Sequence, residues 1–209
     1  MKKFYVITIV MFYVAANVNA QQKALTGFYA GPSFSSILTK SYGISESSKL
    51  KAGLNVGVLW DIPVSRSFSI HTGLKFIQKG GMEKVEDYKF SMTINDLEVP
   101  VNLVYYTNGF KGSFFFGAGL TMAMALTGKV TEKDNGDKYS EKIDFGIKED
   151  DDLKSFDFGA NLLGGFEWKN GIVVAVNYNQ GFANLSNIPQ DVTRTMYIGV
   201  KLGYMLRKR

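Results

Sequence analysis

Residues Ser155 to Asn179 read SFDFGANLLGGFEWKNGIVVAVNYN. Taken alternately from Phe156, they run Phe156, Phe158, Ala160, Leu162, Gly164, Phe166, Trp168. The residues between are Asp157, Gly159, Asn161, Leu163, Gly165 and Glu167. Apolar residues recurring at every second position mark a strand with one greasy face. Asn170-Gly171 follows, a dipeptide suited to the two positive-φ positions of a type I′ hairpin turn. The return strand alternates again, with Ile172, Val174, Val176 and Tyr178 opposite Val173, Ala175, Asn177 and Asn179. Both strands thus predict a greasy face ending in an aromatic and a second face of Gly, Asn and charge.

The same pattern recurs along the chain. Strands are predicted over Thr26 to Ile37, Lys51 to Ile62, Ser67 to Lys79, about Met92 to Tyr106, Ser113 to about Gly128, and Thr195 to Leu206. With the central hairpin this makes eight, each of ten to fifteen residues or so. A tilted strand needs roughly nine to eleven residues to cross a bilayer, whereas strands of soluble domains cluster near five or six. Pro32 sits inside the first strand, where a missing ladder donor predicts an edge or bulge. The connections alternate long and short, with polar loops over Leu38 to Leu50, Gly80 to Ser91, Lys129 to Asp152 and Ala183 to Arg194. Membrane barrels show that asymmetry, with tight periplasmic turns and longer outer loops. The expected fold is therefore all-β, an eight-stranded antiparallel up-and-down transmembrane β-barrel.

A soluble lipocalin-like barrel binding an apolar ligand would need the opposite sidedness, with its greasy face as a cavity wall. An outward greasy face in water would be one large apolar patch, which soluble monomers avoid. The membrane reading points Lys75, Glu98, Asp157, Glu167 and Lys201 into the lumen. Eight strands leave an interior that side chains can fill, and buried charges need partners. A plugged lumen with a structural charge network is expected, Lys201 pairing with Glu98 or Glu167. Trp60, Tyr105, Trp168 and Tyr178 fall near strand ends, where interfacial girdles place aromatics.

The N-terminus opens with Lys2-Lys3, an apolar run to about Ala16, and Val18-Asn19-Ala20, the layout of a secretory signal peptide. Residues 1–20 are read as that peptide and 21–209 as the barrel domain. Its removal takes the net charge from +5 to +3. The remaining basic residues are interleaved with acids and lie on no recognisable motif, so no nucleic-acid partner is expected. There is no cysteine, which excludes disulfides, a thiol nucleophile and a lipoprotein anchor.

Candidates for chemistry are few. His71 is the one histidine, with Ser69 two residues away on the same predicted face. A nucleophile and base need a third, orienting group, and no acid is marked for that role. A hydrogen-bonded interior histidine is the simpler reading, so no catalytic residue is named. The run Glu149-Asp150-Asp151-Asp152 could offer calcium oxygen ligands. It lacks the glycine-punctuated spacing of a calcium loop, so a solvated outer loop is expected, with no metal and no cofactor. Gly117 and Gly119 recur at strand period rather than before a helix, so they leave room for neighbours rather than cradle a phosphate.

GFYAGPSFS (Gly27 to Ser35), LEVPVNLVYY (Leu97 to Tyr106) and MYIGVKLGYML (Met196 to Leu206) resemble the PorT-like outer-membrane β-barrel family of Gram-negative bacteria. The L-x-x-P-x-x-x-x-Y strand is matched by Leu97, Pro100 and Tyr105. The end, Leu206-Arg207-Lys208-Arg209, departs from the aromatic terminus common in such barrels. The resemblance implies an outer-membrane protein exported by a cleaved signal peptide, surrounded by outer-membrane lipid. A monomeric, non-enzymatic barrel is expected, with a protein or glycan partner at its outer loops. The alternative from a different class is a lipid-modifying barrel enzyme, which would make His71 essential.

Overall fold

A computed structural model describes residues 24–85, 88–107, 109, 112–134, 137–148 and 151–206, and these form ten strands. The expected signal peptide lies outside these residues. The strands are β1 (Leu25–Ser41), β2 (Ile44–Ser47), β3 (Lys51–Pro63), β4 (Phe68–Val85), β5 (Tyr88–Tyr106), β6 (Gly112–Asp134), β7 (Asp137–Lys142), β8 (Phe156–Trp168), β9 (Ile172–Gly181) and β10 (Val192–Leu206). Eight of them pair antiparallel in the order β1-β3-β4-β5-β6-β8-β9-β10, and β10 returns to β1 from Thr26↔Leu206 to Lys40↔Val192. The ring is closed, so none of the eight is left with an unpaired edge through the barrel wall.

Sidedness follows the alternation. Along β9, Ile172, Val174, Val176 and Tyr178 are exposed, while Val173, Ala175, Asn177 and Asn179 are buried. Leu120 is 64% exposed and its neighbour Thr121 3%. The greasy face is therefore the outside of the ring and the polar face the inside, the reverse of a ligand-binding soluble barrel. The outward aromatics Trp60, Tyr105 and Trp168 gather toward the short-turn end, where Phe68 meets Tyr105 at a tilt (5.2 Å) and Phe166 meets Trp168 edge to face (4.8 Å).

Three expectations change. The first three long connections are in good part strand, because β4, β5 and β6 run on well past the span a bilayer needs, while residues 183–191 stay a loop as expected. Their polar extensions keep pairing, and β2 and β7 pair with β1 and β6. The type I′ turn is at Tyr42-Gly43, where both residues have positive φ (47° and 86°). At Asn170-Gly171 only Gly171 does (φ 93°); the Gly171 N–H donates to Trp168 O (2.9 Å). That is a three-residue loop, a type I turn closed by one left-handed glycine. Finally, Pro32 is neither at an edge nor at a bulge. It pairs with Leu54 of β3, while the β1–β10 ladder skips Gly31 and Pro32 without changing register. The missing donor faces that skip.

Candidate functional site

The lumen is held by side chains that the register brings together. Lys75 and Glu98 are direct cross-strand partners on β4 and β5 and form an ion pair at 1% and 0% residue exposure. The Tyr197 hydroxyl accepts from Lys75 Nζ (2.5 Å) and donates to Glu98 Oε1 (2.8 Å). Four residues further along β4, Lys79 Nζ reaches Asp96 Oδ2 (2.9 Å), Glu98 Oε2 (3.4 Å) and Asp157 Oδ2 (3.6 Å). Asp157 Oδ2 also accepts from Thr195 Oγ1 (2.9 Å).

Lys201 goes elsewhere. Its Nζ lies over the Tyr29 ring at 4.8 Å, and Glu98 is already shared by Lys75 and Lys79. The expected Lys201–Glu98 pair gives way because an adjacent-strand partner in register outcompetes one that must be reached from another wall. Lys79 and Asp96 carry no mark in the sequence, although Lys79 stands four residues from Lys75 and Asp96 two from Glu98, each on the same face as its neighbour. With Lys201 beside them, three ammonium groups face three carboxylates.

Toward the short-turn end an amide chain follows. Asn161 Nδ2 donates to Asn102 Oδ1 (2.9 Å), and Asn177 Nδ2 to Asn161 Oδ1 (3.1 Å). Gly119 stands between Asn102 and Asn161 in the ladder. A Cβ there would come within 2.8 Å of Asn102 Oδ1 and 2.0 Å of Val101 O, so the glycine is what lets the amides meet.

Below lies the one histidine. The Tyr106 hydroxyl donates to Asp61 Oδ2 (3.1 Å) and faces Glu167 Oε2 (3.4 Å), which leaves its lone pair for the Nε2–H of His71 (2.8 Å). Asp61 Oδ1 is 3.7 Å from the same nitrogen. The acid near His71 is thus Asp61, which sequence spacing did not mark. Among the described residues no hydrogen bond joins Ser69 to His71, whose ring nitrogen is held by Tyr106 instead, so the three do not line up as nucleophile, base and orienter. Val104, Phe115, Val173, Ala175 and Met205 close the short-turn end as an apolar cluster, beside a cavity of about 50 Å³.

The sequence profile described as outer membrane protein beta-barrel domain matches residues 19–187. The chain belongs to that family. It places the protein in the Gram-negative outer membrane, where barrels keep short turns on the periplasmic side and longer loops outside. The barrel is similar to the attachment invasion locus protein Ail of Yersinia pestis at 12% identity and TM-score 0.46, over 88% of this chain and 100% of Ail. It is similar to OprG from Pseudomonas aeruginosa at 10% identity and TM-score 0.47, over 92% and 100%. No curated protein matches the sequence.

At the outer mouth of this outer-membrane barrel the loops fold inward. Ile143, Leu153 and Leu185 pack with Ile94 of β5 as a second buried apolar cluster. The acidic run takes part in this cover. Asp152 Oδ2 accepts from the Asp144 N–H and Asp151 Oδ2 from the Lys148 N–H, both at 2.8 Å. Asn187 Nδ2 ties the two loops by donating to Asp151 O (2.9 Å). These carboxylates serve as turn acceptors, and Glu149 and Asp150 lie outside the described residues. Among the described residues no group of three or more acids and histidines is placed to hold a metal.

Proposed function

We propose that this is a non-enzymatic outer-membrane barrel with a plugged lumen, presenting its outer loops to a protein or glycan partner. The observation that carries the reading is the lumen itself. It is crossed by the Lys75–Glu98–Tyr197 and Lys79–Asp96–Asp157 contacts and bounded by an apolar cluster at each end. A conducting pore needs a continuous wet path, and ion-paired side chains occupy the axis where that path would run. His71 is 4% exposed and bound to Tyr106, away from lipid and from the outer leaflet, which argues against the lipid-modifying alternative. The Leu97, Pro100, Tyr105 strand supports a place among PorT-like members of the family. Export by cleavage after Ala20 and a monomeric state complete the proposal.

Planar-bilayer recording of the refolded barrel tests the plug. A silent bilayer is expected from protein that migrates differently on a denaturing gel before and after boiling. Steady ion conductance from that same protein would refute the plug.

A further inference from the structure

The strand extensions above the apolar belt carry a charge pattern that appears only once the register is known. Lys84 of β4 pairs with Lys89 of β5, Lys89 with Lys133 of β6, and Lys133 with Lys138 of β7. Four lysines thus stand in one row across four adjacent strands. Four residues lower on β6, Lys129 pairs with Lys142 of β7. Paired residues share a face, and residues four apart on a strand share it too. All six lysines therefore project to one side.

That side is the outside. The Asn95/Asp96 irregularity gives β6 an extra residue, Leu126, between Ala125 (opposite Asp96) and Thr127 (opposite Asn95). Before it, the odd-numbered residues of β6 face the lumen, as Thr121 and Ala123 do. After it, odd numbers face out, and Lys129 and Lys133 with them. The opposite, axial face holds the acids: Glu83, Glu132, Asp134, Asp137 and Glu141. No ion pair joins any of the six lysines to a described carboxylate. Like charges placed directly opposite in a ladder destabilise it, so this row costs the free protein stability that a bound anion would restore.

A second observation points to what the anion belongs to. Lys129 and Lys142 themselves line a groove of about 670 Å³, whose outer-wall side carries Met124 and Leu126 together with the polar Gln78, Thr93, Asn95 and Thr127. Asp144 is its one acid among the described residues. Lys129 lies three residues past Leu126, about 10 Å along the strand, and the upper row four residues and about 13 Å higher still. Apolar surface below and ammonium groups above, facing away from the barrel axis, match an acyl chain carrying a phosphorylated headgroup.

We infer that this face binds a phosphate-bearing lipid of the outer leaflet, with Lys129 and Lys142 on its phosphate and the groove against its acyl chain. The inference goes beyond the plugged-barrel reading and rests only on outer-membrane residence, since neither the lumen nor the loop partner enters it.

The test places the full-length barrel in nanodiscs of phosphatidylcholine containing a minor share of lipid A, and measures lipid A enrichment around the protein with a spin-labelled probe. Enrichment of about tenfold is expected, what one or two engaged lysines supply, falling with added salt. The variant Lys129→Gln/Lys142→Gln should lose most of it. Lys84→Gln/Lys89→Gln/Lys133→Gln/Lys138→Gln should lose a smaller part. Both should keep the boiling-dependent gel shift. Absence of enrichment in the unmodified protein, or equal enrichment in the lower-pair variant, overturns the proposal. Inositol hexaphosphate gives the remaining arm. If it binds with the same lysine dependence in discs lacking lipid A while lipid A is not enriched, the face takes a soluble polyanion and the lipid assignment falls. A conducting but lipid A-enriching barrel would sink the plug and leave this inference standing.

Discussion

Replacing Glu98 by Gln removes one negative charge from the most enclosed point of the lumen. Glu98 is fully buried and serves three partners: Lys75, Lys79 and the Tyr197 hydroxyl. Lys79 retains Asp96 and Asp157 after the substitution, so it remains compensated. Lys75 does not. Its remaining contact is the neutral Tyr197 hydroxyl, and a buried ammonium stripped of its carboxylate costs about 3–5 kcal/mol. Adding Lys75→Met removes the orphaned charge and should recover most of that loss, giving a coupling energy of about 2 kcal/mol or more between the two sites. Equilibrium urea unfolding of the vesicle-inserted barrel measures it, read by emission from Trp60 and Trp168, the only two tryptophans. A Glu98→Gln change worth no more than an exposed ion pair, about 0–1 kcal/mol, would refute the account of the lumen. So would a double variant no better than the single, because the penalty would then not be Lys75 left alone.

Gly119→Ala should lower stability by about 1–3 kcal/mol, the usual cost of overpacking, because its Cβ would strike Val101 O and the Asn102 amide. Gly164→Ala, whose Cβ would come no nearer than 3.3 Å to the Phe116 ring and 3.7 Å to Phe115 O, should cost far less in the same urea titration. Asp152→Ala removes the acceptor for the Asp144 N–H and should speed protease cleavage within 143–153 on intact cells. Calcium or chelator should leave that rate unchanged, and a calcium effect would restore the metal reading of the acidic run. With no native cysteine, Tyr139→Cys should react with a membrane-impermeant maleimide on whole cells while Val64→Cys stays unlabelled. The reverse pattern would invert the topology.

Much of the fold was legible because period-two alternation is a local property. Phe156 through Trp168 declares its two faces without reference to any neighbour, and so do Lys75, Glu98 and Asp157. Which charge meets which is different, since it depends on register between strands. The composition of the lumen alone points Lys201 to Glu98 or Glu167, whereas the β4–β5 register hands Glu98 to Lys75 and Lys201 Nζ lies over the Tyr29 ring. The histidine's acid was hidden for the same reason: Asp61 lies directly across the β3–β4 ladder from His71, a relation that no spacing within one strand expresses. The polar extensions were read as loops because polarity mimics a loop when both faces of a ribbon are wet. Their sidedness then turned on Leu126, one extra residue that inverts every later side chain of β6 and leaves no compositional trace.

The rung missing beside Pro32 has a meaning in time as well as in space. β1 and β10 are the first and last of the described strands, so the joint between them can form only after the strands between them have been made. Until then β1 waits with its β10-facing side unpaired, the kind of free strand border that recruits other chains. Proline sits near the middle of that border and has no N–H to offer a stranger. The same feature that costs the finished barrel part of its closing ladder therefore protects the unfinished one, making the first strand a poor template for anything but its own last strand.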